Sequence, residues 1–278
     1  MFVIASSGIV RRGMPFDVPA RVIRHEEVAA DHFLLTLDAP AIARSARPGQ
    51  FVMLRVRGGT DPLLRRPMSL FRVQAAPGRI QILYKVVGLG TRYLAERRPG
   101  SRLETLGPLG NGFRAPGGER TPILVAGGIG IAIFPFLLES LRRHGRRPTL
   151  LFGARRRRDL VAIELFRARR VPVRVATEDG SAGAKGFVTA LLEPLLERRE
   201  STAGMELFVC GPTPMLRAVG AMAARAGVPC QLALESTMPC GIGVCLGCVV
   251  PCAGEGGERV FRRVCTEGPI FDAGAVQW

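Results

Sequence analysis

Nine residues near the C-terminus constrain this chain more than any others: Cys240-Gly-Ile-Gly-Val-Cys245-Leu-Gly-Cys248, answered by Cys265. The spacing is C-x4-C-x2-C, with sixteen residues between Cys248 and the fourth cysteine. This is the plant-type pattern in which four thiolates hold the two irons of a [2Fe–2S] cluster. Three ligands on so short a loop demand tight backbone turns. Gly241, Gly243 and Gly247 permit them and let backbone amides approach the sulfurs. A structural zinc site shows paired C-x2-C units, and only one occurs here. The candidate metal ligands are therefore Cys240, Cys245, Cys248 and Cys265. Cys252 follows Cys248 closely, but Cys265 matches the pattern better, so Cys252 reads as a bystander. Cys230 reads as a small buried hydrophobe.

With four of seven cysteines placed on the cluster, the remainder fit a reducing compartment better than a disulfide framework. No apolar run reaches the roughly eighteen residues that a membrane helix needs. Met1-Phe-Val-Ile-Ala-Ser-Ser-Gly8 lacks the basic stretch and cleavage site of a signal peptide. The expectation is a cytoplasmic protein with no membrane segment. The net charge of +16 invites a nucleic-acid reading. However, lysine occurs only at Lys85 and Lys185, and the arginines form scattered runs such as Arg155–Arg158 without interleaved aromatics that stack bases. The excess reads as solvated faces, with no nucleic acid expected as a partner.

The 278 residues suffice for two or three modules. After an irregular lead-in over residues 1–17, short runs alternate between apolar and polar. They are Ala20–Val28, Phe33–Leu37, Phe51–Val56, Leu70–Val73 and Arg79–Val87, with turn residues between them. They predict an antiparallel β-barrel over 18–118, with a helix from Gly90 stopped by Pro99-Gly100. From 119 to 230 the pattern becomes strand then helix. Strands are expected at Thr121–Ala126, Thr149–Gly153, Val171–Thr177 and Glu206–Gly211, and helices around Asp159–Arg169, Val188–Arg198 and Pro214–Arg225. This alternation predicts a doubly wound parallel sheet. Residues 231–278 are left as a small cysteine-rich module. The fold class is thus β plus α/β.

Two pairs of motifs point to phosphate-bearing ligands. Arg65-Arg66-Pro67-Met68-Ser69 offers guanidinium groups and a hydroxyl, and Gly88-Leu-Gly90-Thr91 opens a helix whose free amides suit a pyrophosphate. Ala126-Gly127-Gly128-Ile129-Gly130 and Cys210-Gly211-Pro212 both stand at strand-to-helix junctions, where a doubly wound sheet binds its ligands. Glu178-Asp179-Gly180-Ser181 forms a third strand-end turn, equally readable as a ribose contact or as a solvated acidic turn. No nucleophile–histidine–acid set is present. His25, His32 and His144 sit in contexts that assign them no base role, so no catalytic residue is nominated.

Together these motifs resemble the ferredoxin–NADP reductase superfamily. More narrowly, the chain is similar to electron-transfer subunits of class-B, NAD-linked dihydroorotate dehydrogenases. The resemblance runs from about Ala20 to Trp278 and includes Thr177–Ser181, Lys185-Gly186-Phe187, Glu235–Gly243 and the ending Cys265-Thr-Glu-Gly-Pro-Ile-Phe271. It implies FAD on the barrel, along Arg66, Pro67, Met68 and Ser69 and along Leu83, Tyr84 and Lys85, with Gly90 and Thr91 at the pyrophosphate. It implies NAD at Gly127, Gly128, Gly130, Cys210, Gly211 and Pro212, and the [2Fe–2S] cluster on the four cysteines. The implied partner is an FMN-containing catalytic subunit that oxidises dihydroorotate in pyrimidine biosynthesis, two copies of each chain forming a heterotetramer. One departure stands out: the family places a proline soon after its Gly-Ile-Gly turn, whereas here it comes only at Pro135. Small subunits of NADH-dependent ferredoxin–NADP reductases and hydrogenase diaphorase subunits share the architecture and remain the alternative. A non-enzymatic redox-sensing or nucleic-acid-binding role, prompted by the arginine excess, would show as salt-sensitive DNA binding without dye reduction.

Overall fold

The computed structural model describes residues 14–197, 202 and 204–278. Most of the expected lead-in, and the stretch read for a signal peptide, lie outside the described residues. The chain is already extended at Phe16. The first sheet comprises β1 (Phe16–Ala29), β2 (His32–Asp38), β3 (Phe51–Arg55), β4 (Arg66–Ser69), β5 (Arg72–Gln74), β6 (Arg79–Lys85) and β7 (Arg102–Leu109). Helices α1 (Pro40–Ser45) and α2 (Leu89–Ala95) lie between them. Strand order is β4-β3-β7-β1-β2-β6-β5, antiparallel throughout. The two edge strands are consecutive parts of one bent segment. The Leu70 amide donates to the Gln50 carbonyl at 3.2 Å, and the Phe71 amide to the Gln81 carbonyl at 2.8 Å. Neighbouring residues thus bond to opposite edges of the sheet, which curls it into a barrel and covers its edges. Alternate residues fill the interior, among them Val22, Leu35, Leu37, Val52, Leu54, Ile80 and Ile82.

Strand β7 was not expected from sequence, because Gly107-Pro108 reads as a break. The structure places it between β1 and β3, with Leu103 and Leu109 buried. Helix α1 was likewise unforeseen.

The second sheet holds β8 (Thr121–Gly127), β9 (Thr149–Ala154), β10 (Val173–Thr177), β11 (Ala184–Lys185) and β12 (Met205–Cys210). Its helices are α3 (Phe134–Arg143), α4 (Ile163–Arg167), α5 (Thr189–Leu196) and α6 (Thr213–Ala226). The order is β11-β10-β9-β8-β12, all parallel, and it continues into β13 (Cys230–Ala233) and the antiparallel β16 (Ile270–Asp272). Strands covered on both faces read as continuous apolar runs. Ile123, Val125, Leu207 and Val209 pack with Leu192, Leu216 and Val219 of α5 and α6. Leu124, Ala126, Leu150 and Phe208 pack with Phe134, Leu138 and Phe166 of α3 and α4.

The helix expected over Asp159–Arg169 is shorter in the structure. Ala162 adopts φ +59, so a single 3-10 turn at Arg157–Asp159 is separated from α4. Of the helix expected over Val188–Arg198, α5 covers Thr189–Leu196, and Arg198 lies outside the described residues. Residues 128–133 form a 3-10 turn that feeds α3. Pro135 then falls in the first turn of α3, where a missing N–H costs nothing. The late proline therefore shifts the helix start without breaking it.

Strands β13 and β16, and a hairpin of β14 (Val249–Ala253) with β15 (Arg259–Arg263), occupy the cysteine-rich segment for which no strand was expected. The segment is anchored to the parallel sheet at both ends. The buried Glu206 carboxylate ties the modules together, accepting from the Gly117 amide at 3.0 Å and from Gln231 Nε2 at 2.8 Å. Gln231 Oε1 in turn accepts from the Arg114 amide at 2.9 Å.

Candidate functional site

Where the barrel meets the C-terminal edge of the parallel sheet there is a cavity of about 350 Å³, within the range of small-molecule sites. Arg66, Pro67, Met68, Ser69, Leu83, Tyr84, Lys85 and Thr91 line it from the barrel, and Gly130 and Cys210 from the sheet. Ten of the residues nominated from sequence thus share one cavity. Gly90, Gly127, Gly128, Gly211 and Pro212 do not line it.

The two neighbouring arginines, indistinguishable by residue type, have different tasks. Arg65 makes two 2.8 Å bonds to Asp17, one to each carboxylate oxygen, so its charge is spent within the barrel. Among the described residues no carboxylate pairs with Arg66, which donates to the carbonyls of Leu64 at 2.6 Å and Arg65 at 3.4 Å. Its guanidinium lies across the start of α2, where a Cβ on Gly90 would run into it. The Thr91 hydroxyl accepts from the amides of Val87 at 2.9 Å and Gly88 at 3.1 Å, fixing the helix entry. A guanidinium without a carboxylate partner beside first-turn helix amides suits a diphosphate.

On β6 the side chains alternate. Leu83 packs with the core between barrel and sheet, while Tyr84 belongs to the barrel interior. The Tyr84 hydroxyl lies 3.0 Å from His25 Nε2, and burial raises its pKa above the ordinary phenol value. Tyr84 therefore borders the cavity while its hydroxyl is committed to the barrel. Lys85 Nζ reaches across to Asp159 Oδ1 at 3.1 Å, an ion pair joining the barrel to the sheet.

The two junctions of the sheet meet because β8 and β12 are paired, with Ala126 opposite Cys210. A Cβ on Gly130 would clash with the Cys210 carbonyl and the Gly211 amide, so only glycine allows this approach. Burial, reinforced by the nearby Glu235 carboxylate, pushes the Cys210 thiol far above its usual pKa. Glu235 itself is reached from the cleft but closely surrounded by protein, which raises its carboxyl. Glu235, Ser236, Met238 and Pro269 also line the cavity. In the sequence Glu235 and Met238 stand out only as part of the lead into the cysteines. The available signal was their place just past an apolar run, β13, ending at the same sheet edge. The Glu178–Ser181 turn does not line the cavity. It is held by Asp179 Oδ1, which accepts from the Ser181 amide at 2.9 Å and hydroxyl at 2.6 Å and so keeps its carboxyl below the usual range. A second, more polar cavity of about 620 Å³, lined by Arg57, Gly58, Tyr93, Glu96 and Arg97, contains none of the motif residues.

The cysteine loop turns through Gly241 and Gly243, at φ +75 and +84. Burial opposes ionisation of Cys240, yet the amides of Cys245, Ile242 and Val244 prevail and bring its thiol down to about 6. Burial, and then the neighbouring Cys248, push Cys265 up to about 12. Cys245 acts on the Cys240 thiol, and Cys248 chiefly on that of Cys265. The Cys265 amide also donates to Cys248 Sγ at 3.4 Å. Among the described residues no three His, Cys, Asp or Glu side chains converge as on a single metal ion. Four thiols that influence one another without converging on one point suit a centre of two irons rather than a single ion. Cys252 is fully buried, and its thiol is raised chiefly by burial.

Comparison with known proteins agrees with this geometry. Residues 19–113 match the model of an oxidoreductase FAD-binding domain and residues 124–220 that of an oxidoreductase NAD-binding domain. Residues 235–277 match the iron–sulfur cluster binding domain of dihydroorotate dehydrogenase B. The dihydroorotate dehydrogenase B (NAD(+)) electron transfer subunit of Desulforamulus reducens is 39% identical over 259 residues, 93% of this chain and 97% of that protein. Its counterpart from Bacillus caldolyticus is 38% identical over 90% of this chain and 94% of its own length. Among solved structures, one describing an NADH-dependent reduced ferredoxin-NADP oxidoreductase superposes with TM-score 0.81 at 29% identity, covering 94% of this chain and 90% of that one. The ferredoxin reductase of carbazole 1,9a-dioxygenase gives 0.66 at 26% identity, over 77% of this chain and 67% of that one. The fold is that of the ferredoxin–NADP reductases, with FAD-binding, NAD-binding and iron–sulfur domains. The chain belongs to the family of dihydroorotate dehydrogenase B electron transfer subunits.

Proposed function

We propose that this chain carries electrons released by dihydroorotate oxidation on an FMN-containing catalytic subunit to NAD⁺, as one half of a cytoplasmic heterotetramer with two copies of each chain. The observation that carries the reading is the shared cavity, into which the flavin motif, the nicotinamide junctions and the residues leading to the cysteines all open. When bound, the cluster handles single electrons and the flavin reconciles them with the two-electron chemistry of nicotinamide. In this reading Arg66 and the start of α2 hold the FAD diphosphate, with Pro67–Ser69 and Leu83 along the flavin. The Gly127–Gly130 and Cys210–Pro212 turns seat NAD against it, and the four cysteines hold the cluster. The functional modules are taken as 18–118, 119–230 and 231–278.

The cysteine loop and β15 expose several large apolar side chains. Val244 is 75% exposed, Leu246 59%, Ile242 47%, and Phe261 on β15 63%. A rim of large exposed hydrophobes beside an electron-transfer centre suits a permanent partner that excludes water from it. The test is co-expression with a dihydroorotate-oxidising subunit. Iron and FAD should partition to this chain and FMN to its partner, with dihydroorotate-dependent NAD⁺ reduction only when both are present. A complex that forms but reduces no NAD⁺ defeats the proposal. The structural likeness to an NADH-dependent reduced ferredoxin-NADP oxidoreductase supports a second reading, as the small subunit of such an enzyme. Turnover with reduced ferredoxin and NADP⁺, in place of dihydroorotate, would establish that one instead.

A further inference from the structure

One strand of the barrel touches both redox sites. On β3, Val52 and Leu54 point into the barrel, whereas Phe51 and Met53 face outward into the core that contains Cys248 and Cys265. Phe51 lines the cavity. Met53 is fully buried and meets the cysteine loop: a Cβ on Gly241, next to Cys240, would lie 2.7 Å from Met53 Cγ and 3.3 Å from its Sδ. The same two residues pair in register with the flavin motif, Phe51 with Ser69 and Met53 with Pro67. Residues two apart on a strand are separated by roughly 7 Å. One face of β3 therefore presents a cavity contact and a cysteine-loop contact at adjacent positions, with no loop between them.

We propose that Met53 is a positioning residue that fixes the gap between the cluster and the flavin. This inference rests on the reading of the cavity as the flavin site and of the four cysteines as cluster ligands. The side chain fills the space between β3 and the Gly241 backbone and keeps that gap dry and closely packed. Met53 touches neither reacting centre by this assignment. Shortening it leaves a void or admits water, and either change weakens the through-protein contact along which an electron passes.

The test uses the complete holoprotein and NADH under anaerobic conditions in a stopped-flow spectrometer. NADH loses a hydride and becomes NAD⁺. One electron of that pair converts one ferric iron to ferrous, the other stays on the flavin, and the proton goes to solvent. Flavin bleaching and cluster bleaching are followed separately, and the cluster's electron paramagnetic resonance signal confirms its reduction. In Met53→Ala the FAD content, iron content and flavin reduction rate should match the unmodified protein, while cluster reduction slows severalfold. Met53→Leu, which conserves volume, should restore the rate. Cluster reduction at the unmodified rate in Met53→Ala, with FAD and iron bound, overturns the proposal. So does a variant that only melts at lower temperature. If Met53→Ala does not fold, Met53→Val shortens the same side chain in a residue suited to strands and has the same two outcomes. Absence of FAD or iron from the unmodified protein would defeat the underlying reading. An unchanged variant rate with both present defeats only the role of Met53.

Discussion

At the scale of single residues, the cavity separates side chains that look alike in sequence. Arg65 and Arg66 are adjacent and equally charged, yet Asp17 engages one and leaves the other to the start of α2. Hydrogen bonds to charged groups contribute about 1.5–3 kcal/mol. Arg66→Ala should therefore weaken FAD binding roughly ten- to hundredfold, read by titrating apoprotein and following flavin fluorescence. Arg65→Ala should leave that affinity unchanged and lower stability by about 1 kcal/mol or less, because its ion pair is partly exposed. Equal losses of affinity in the two variants would contradict this division. The cysteines behave similarly. Their spacing names four candidate ligands, but only the folded chain brings the Cys265 amide onto the Cys248 sulfur, seventeen positions away. Cys252, near Cys248 in sequence, instead pairs with Val260 in the β14–β15 ladder and is fully buried.

At the scale of elements, the strands with unbroken apolar runs were legible, and those containing a turn signal were not. Thr121–Ala126 and Glu206–Cys210 declare themselves because both faces are buried. Strand β7 does not, because Gly107-Pro108 looks like a loop until partners on both sides hold it in the sheet, with a register shift against β3 at that point. Helix α4 shows the reverse case, an expected helix interrupted where Ala162 turns left-handed. In the proposed reading the junction of β8 and β12 serves the nicotinamide side. Gly130→Ala would drive a methyl group into the Cys210 carbonyl and push the two turns apart. The expected result is a KM for NADH raised roughly tenfold, about 1.4 kcal/mol, with FAD content unchanged. An unaltered KM would show that the close approach serves packing alone.

At the scale of the whole molecule, the modules are joined by a few specific contacts. Lys85 pairs with Asp159, Arg72 with Glu139, and Glu206 and Gln231 bind the linker at Gly117 and Arg114. These contacts hold the barrel motif opposite the sheet junctions so that one cavity serves both. The apolar rim is also a whole-molecule property, assembled from the cysteine loop and from β15. Phe261 lies away from the cavity, with Arg259 5.6 Å from its ring centroid. Phe261→Glu should abolish co-elution with the catalytic subunit in size-exclusion chromatography while leaving NADH–dye reduction intact. Continued co-elution would move the docking face elsewhere.

The cluster type, the order of barrel, sheet and cysteine module, and the family could all be read from the chain. Each depends on local spacing or periodicity, which short stretches of sequence encode directly. Three-dimensional packing settled what local pattern cannot carry. It assigned one arginine to the cavity and its neighbour to Asp17, brought Glu235 and Met238 of the cysteine-rich segment into the cavity wall, and set the cysteine loop against Met53. These outcomes come from contacts between residues tens to nearly two hundred positions apart, such as Met53 with Gly241. Such a contact exists only once the cysteine loop has been folded against the outer face of β3.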